Sequence, residues 1–305
     1  MNATTMVRDA WPALPFAEWR STWETFLLRT QIVGKTRLAL MPHLNHSWNA
    51  TLYVSTTGLT TSLMPYQNIG VEVALDFVHN ELVVTTTTGV RRTVGLGARS
   101  VADFYAEYFF CLHEAGVDVT ISATPNELVD VIPFPQDRTH VDYDPEAVRR
   151  YWLALVQAHR VLSRFRSLYR GKASPVHYFW GAGDLATTRF SGRRAPLHPA
   201  GAPHCPDYVM QEAYSDEVSS CGFWPSFGNE GAFYSYAYPE PQGFGKHTIG
   251  PDAAYYDEAL GEFVLPYDAV RTADDPDAYL MDFLTSTFDA ARELARWEPW
   301  PEPSF

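Results

Sequence analysis

Only three of the 23 basic residues in this 305-residue chain are lysines: Lys35, Lys172 and Lys246. Two of them follow a glycine in similar settings, Gln31-Ile32-Val33-Gly34-Lys35 and Leu168-Tyr169-Arg170-Gly171-Lys172. A lysine just past a helix-ending glycine can neutralise the C-terminal carbonyls. Aimed into one cleft, the same ammonium groups can hold an anionic ligand, and a desolvated one can form a Schiff base. Lys172 is accordingly a candidate catalytic group and Lys35 a candidate ligand-binding group.

Two further side chains are candidates for moving protons. His177 lies in Val176-His177-Tyr178-Phe179-Trp180, where strand alternation separates it from Tyr178 and Trp180; either a satisfied core histidine or a general acid/base fits that position. Glu217 belongs to the stretch from Glu212 to Pro225, in which carboxylates, serines and large aromatics crowd together as in a site lining. Trp48, Trp180, Tyr214 and Trp224 are the candidate stacking surfaces. Arg189 and Arg193 offer guanidinium forks suited to carboxylate or phosphate. His46, three residues after His43, is a candidate ligand contact; that spacing is too common to specify a metal, and no metal site is assigned. Phe233-Tyr234-Ser235-Tyr236-Ala237-Tyr238 puts three phenols on one strand face, and phenols that need partners suit a polar cavity better than a dry core.

Familiar enzyme signatures are absent: no Gly-x-Ser-x-Gly, Cys-x-x-Cys, His-Glu-x-x-His, phosphate-cradling loop or dinucleotide fingerprint occurs. The sequence leaves the cofactor unknown and leaves open whether the chain is an enzyme. A net charge of −13 argues against nucleic acid or an anionic membrane surface as partner. Three cysteines at irregular spacing read as reduced thiols. With no secretory start and no span-length apolar run, the expected location is the cytoplasm.

The elements that must position these groups follow from periodicity. Apolar spacing of three and four predicts helices over 17–33, ending at Gly34, and over 101–115, capped by Ser100. Two more begin at Asp144-Pro145 and Asp275-Pro276. Period-two segments predict strands over 37–40, 48–54, 59–63, 71–78, 81–87 and 92–95, then 176–180, 185–190, 233–238 and 262–266. Each half reads helix, Gly-Lys, strands, helix, which implies an internal duplication. The halves are residues 1–124 and 144–305, joined by a linker over 125–143, and the second carries a loop-rich insertion over 191–250. The fold class is α+β, with two mainly antiparallel sheets each flanked by helices.

Six segments carry a resemblance: Thr30 to Lys35, Leu44 to Trp48, Ser100 to Tyr105, Ser174 to His177, Arg189 to Pro196 and Tyr236 to Pro241. By these the chain resembles a bacterial family of uncharacterised proteins over nearly its full length. The resemblance implies no catalytic residues, because no activity is assigned to that family. The expectation is a protein that binds or transforms a small polar or anionic molecule in a cleft between its halves. The rival reading is a protein-interaction or regulatory module without catalysis.

Overall fold

The computed structural model describes residues 10–298; the outer ends of both expected halves, 1–9 and 299–305, lie outside them. The first half begins with helix α1 (Phe16–Leu40). A short 3₁₀ turn at Asn45–Ser47 leads into strands β1 (Tyr53–Val54), β2 (Gly58–Thr60), β3 (Met64–Tyr66), β4 (Ile69–Asp76), β5 (Glu81–Thr86) and β6 (Arg91–Gly95). Helix α2 (Val101–Glu114) closes it, its first turn capped by Ser100, whose hydroxyl accepts from the Asp103 N–H. The strands pair antiparallel in the order β1-β2-β4-β5-β6, with β3 hydrogen-bonded to β4.

Helix α3 (Pro145–Ser167) opens the second half; Asp144 accepts from the Glu146 N–H, and proline occupies a first-turn position that needs no donor. Then follow β7 (His177–Phe179), β8 (Asp184–Arg194), α4 (Asp207–Ala213), β9 (Asp216–Trp224), β10 (Ala232–Tyr238), β11 (Tyr255–Asp257), β12 (Glu262–Pro266), α5 (Tyr267–Thr272) and α6 (Pro276–Leu294). The second sheet is also antiparallel, ordered β11-β12-β10-β9-β8-β7. The fold is α+β with two antiparallel sheets accompanied by helices, and both halves run from a long helix through an antiparallel meander to a closing helix.

The sheets meet edge to edge. Leu52, just before β1, and Tyr178 in β7 exchange both backbone hydrogen bonds, at 2.9 and 2.8 Å. Above this seam the helices interlock: Trp19, Trp23 and Phe26 of α1 surround Tyr151 of α3 at ring separations of 5.3–5.8 Å. The segment before α1 reaches across to the second sheet, where Trp11 packs on Phe233 and Tyr267, and the Tyr267 hydroxyl donates to the Pro12 carbonyl. One hydrophobic core therefore runs through both halves.

Several expectations are corrected. Gly34 does not end α1, and residues 37–40 are its last turn rather than a strand. The glycine is required because a Cβ there would occupy the same space as the Trp180 indole. Segment 48–54 contributes only the two-residue β1. Within 191–250 lie β9 and β10, the central strands of the second sheet, so that stretch builds sheet as well as loop.

Candidate functional site

The register of the second sheet sorts its side chains into two faces. Leu185, Phe223, Phe233 and Leu265 are cross-strand neighbours on the face covered by α3 and α6. Arg189 shares that face: its guanidinium lies 3.4 Å from the Phe165 ring centroid and 4.2 Å from that of Phe288, and it donates to the Phe165 carbonyl. Burial pulls it down to about 10, and it serves as an internal strut between α3 and α6.

Opposite this core lies a polar face. Ala186, Gly222 and Tyr234 are aligned across β8, β9 and β10, and Thr188, Ser220 and Tyr236 form the next row. Asp184 begins β8 on the same face, and its carboxylate accepts from the Tyr234 hydroxyl at 2.5 Å. Gly222 is there because a Cβ would strike that hydroxyl. Tyr214, at the end of α4, overhangs the face and shares a hydrogen bond with Tyr236 at 2.8 Å. His198 stacks on Tyr214 with centroids 4.5 Å apart, and Trp224 meets the Tyr234 ring edge-on at 5.8 Å.

Two more carboxylates, from distant stretches of chain, come near enough to Asp184 and Tyr214 to interact with them through their charge. Glu262 starts β12, and its Oε2 is buried with no hydrogen-bond partner. Glu127 comes from the stretch between α2 and α3; the residue is exposed, but its carboxylate lies against the Cα of Gly181, a position a Cβ would deny it. Desolvation, then the charge of Asp184, pushes both Glu127 and Glu262 up to about 7. Asp184 itself is raised to about 6 by desolvation, which outweighs the Tyr234 hydrogen bond. Tyr214 is raised to about 12, first by burial and then by the charges of Glu262, Asp184 and Glu127 together. Among the described residues none of the three carboxylates makes an ion pair. Three carboxyl groups that interact through their charges are thus each raised towards the pH at which a carboxyl can give or take a proton.

Lys35 lies alongside the linker that supplies Glu127. Its ammonium donates to the side-chain oxygen of Asn126 and sits 5.7 Å from the Trp180 ring centroid. Burial lowers it to about 8.

Lys172 belongs to a different cluster. It lies 5.9 Å from the Trp48 ring and donates to His46 Nε2 at 2.6 Å and to Asp216 at 3.0 Å. His46, held at φ 60°, directs its Nδ1–H at the carbonyls of Glu212 and Ala213, so Nε2 is the acceptor. Burial and then the Lys172 charge depress His46, which is neutral in this arrangement. Burial works against the Asp216 carboxylate, but hydrogen bonds and charges from Lys172 and Arg194 hold it below its ordinary range. An open hollow of about 580 Å³ adjoins this cluster. Its two cations, Lys172 and Arg194, both pair with Asp216, and Glu212 also lines it, so the lining carries balanced charge. The two lysines are therefore in separate settings, and each lies over the tryptophan of the other half.

The remaining candidates are placed elsewhere. His177 is fully buried among Trp48, Tyr53 and Phe179, with both ring nitrogens unpartnered. Desolvation, then the charges of Arg37 and Arg166, lowers it to about 3. Glu217 accepts from Ser191 and from Arg193, which also donates to the carbonyls of Ala295 and Arg296 at the end of α6. A hollow of about 180 Å³ beside Glu217 is lined mainly by apolar side chains and prolines. Among the described residues no group of three His, Cys, Asp or Glu side chains converges to hold a metal ion.

A family model matches residues 11–300, nearly the whole chain. The chain belongs to DUF5996, a family of unknown function. No curated protein and no solved structure matches this DUF5996 member. Among its described residues no helix is long and apolar enough to cross a membrane. Of the recess residues, the sequence pointed to Tyr214, Trp224 and the tyrosines of β10. It did not single out Glu127, Asp184 or Glu262, because three isolated carboxylates in segments 57 and 78 residues apart form no motif. The available signal was Glu262 at the head of a strand that could pair beside the tyrosine strand.

Proposed function

We propose that this protein binds a small polar ligand in the recess between α1, the linker and the open face of the second sheet, and moves protons on it. The observation that carries this reading is the convergence of Glu127, Asp184 and Glu262 on one tyrosine-lined surface, each carboxyl raised towards neutrality. Raised carboxyls can act as acids or bases near pH 7, and the tyrosine hydroxyls can orient ligand oxygens or nitrogens. Trp224 and Tyr214 supply flat apolar surface for the ligand's carbon skeleton. Because the lining is acidic and holds no paired cation, it favours a neutral polar or cationic ligand; an anion would meet repulsion once the carboxyls ionise.

Comparing native and denaturing mass spectra of freshly purified protein, followed by thermal-shift screening of polyols, amines and carboxylic acids, tests the reading. Retained or added polar compounds should bind to the wild type and be lost in Asp184→Asn and Glu262→Gln, both still folded. Binding that survives both substitutions places the ligand elsewhere and sinks the proposal.

A further inference from the structure

Lys35 is an amine built into the molecule without a counter-charge. It is 5% exposed, and among the described residues it makes no ion pair, although the chain has 36 acidic residues. An ammonium group taken out of water is ordinarily matched by a carboxylate. Here the hydrogen-bond acceptor is the neutral amide oxygen of Asn126, and the nearby titratable group is the Cys205 thiol, itself pushed up by burial.

That acceptor is deliberately oriented. The Asn126 amide nitrogen donates to the His204 carbonyl, which turns its oxygen towards Lys35. The Asn126 backbone is clamped by Gln31, one turn before Lys35 on α1: Gln31 Oε1 accepts from the Asn126 N–H at 2.8 Å, and Gln31 Nε2 donates to the Asn126 carbonyl at 2.9 Å. On its other side the amine faces the Trp180 indole, which is fixed by its own hydrogen bond to the Ala50 carbonyl and by close contact with Gly34. An indole face and an amide oxygen position an amine without the stabilisation that a carboxylate gives to its protonated form. The lowered Lys35 pKa agrees with that geometry.

We infer that Lys35 is a nucleophilic amine that forms an imine with a small aldehyde or ketone. The neutral nitrogen lone pair attacks the carbonyl carbon while the C=O π pair moves onto oxygen, and proton transfer through water gives a carbinolamine. The nitrogen then expels that oxygen as water and forms C=N. One amine and one carbonyl compound yield one imine and one water, so no oxidant, reductant or cofactor is consumed. This goes beyond the recess reading and does not depend on its carboxylates.

The scarcity of lysine makes the test direct, since Lys172 and Lys246 are internal controls in the same chain. The wild-type protein is incubated with glycolaldehyde and cyanoborohydride from pH 6.5 to 9, and the alkylation of each lysine is followed by peptide mass spectrometry. At pH 7 Lys35 should react about ten-fold or more faster than either control, and its advantage should shrink as pH rises and the ordinary lysines deprotonate. Unfolding in urea should abolish the preference. Asn126→Asp, which supplies the missing carboxylate, should slow Lys35 about ten-fold at pH 7. Equal or slower labelling of Lys35, or a preference that persists in urea, overturns the inference. Polar-ligand binding that is lost in Asp184→Asn but kept in Lys35→Arg shows the recess reading standing whatever the fate of this one.

Discussion

Asp184 shows what a carboxyl raised by burial costs the fold. It ionises at about 6 in the folded chain against an ordinary value of 3.8. A raised carboxyl binds its proton more tightly when folded, so its contribution to stability is complete below about pH 4 and is lost as pH climbs through 6. Asparagine preserves an acceptor for Tyr234 and cannot ionise. Asp184→Asn should therefore match the wild type in urea denaturation near pH 3.5 and exceed it by roughly 1–3 kcal/mol at pH 8, while losing ligand binding. His177 carries the opposite sign. Its value of about 3, against 6.5, means that stability present above pH 6.5 drains away as pH falls towards 3. His177→Phe should flatten that acid limb, worth on the order of 3–5 kcal/mol, and leave stability at pH 7 unchanged or higher, because two orphaned ring nitrogens disappear. An unaltered acid limb in the urea midpoints would assign the effect to other groups.

At the scale of the element, α1 shows how a tertiary contact overrides a local rule. Gly34 followed by a lysine has the form of a helix stop, yet the helix continues to Leu40 because the glycine clears a place for the Trp180 indole. Alanine favours a helix over glycine by about 1 kcal/mol, but here its methyl group would collide with a ring that is hydrogen-bonded in place. Gly34→Ala should lower the unfolding free energy by about 2 kcal/mol or more, which thermal melts can read. The helices from Ser100, Asp144 and Asp275 were legible because their caps are local: each side chain accepts from a backbone N–H two or three residues ahead. Strand β9 was not legible. It lies between β8 and β10 and is covered by helices on one side and the tyrosine face on the other, so Asp216 to Trp224 lacks the alternation that marks a half-exposed strand. The recess was half legible for the same reason: tyrosine alternation is local, whereas the meeting of Glu127, Asp184 and Glu262 exists only after sheet pairing.

At the scale of the whole molecule, contacts tie the two parts of the chain together. The segment before α1 is anchored on the second sheet, α1 shares its aromatic cluster with α3, and each lysine of the Gly-Lys pair rests on the other half's tryptophan. Calorimetry should accordingly give a single transition with matching calorimetric and van't Hoff enthalpies, and residues 10–124 alone should not melt cooperatively. Two resolved transitions would show that the halves are independent.

The seam at Leu52 and Tyr178 has one more consequence. A sheet that ends in an open edge can recruit strands from other molecules, and such recruitment begins fibres and precipitates. Here the two sheets spend one edge each on the other, leaving β6, β11 and the outer side of the short β3 as borders. The first presents Arg91, Arg92 and Thr93 to solvent, and the second is three residues long and ends in Asp257. Joining the sheets side by side thus removes two edges from risk and leaves the remainder charged or too short to serve as templates.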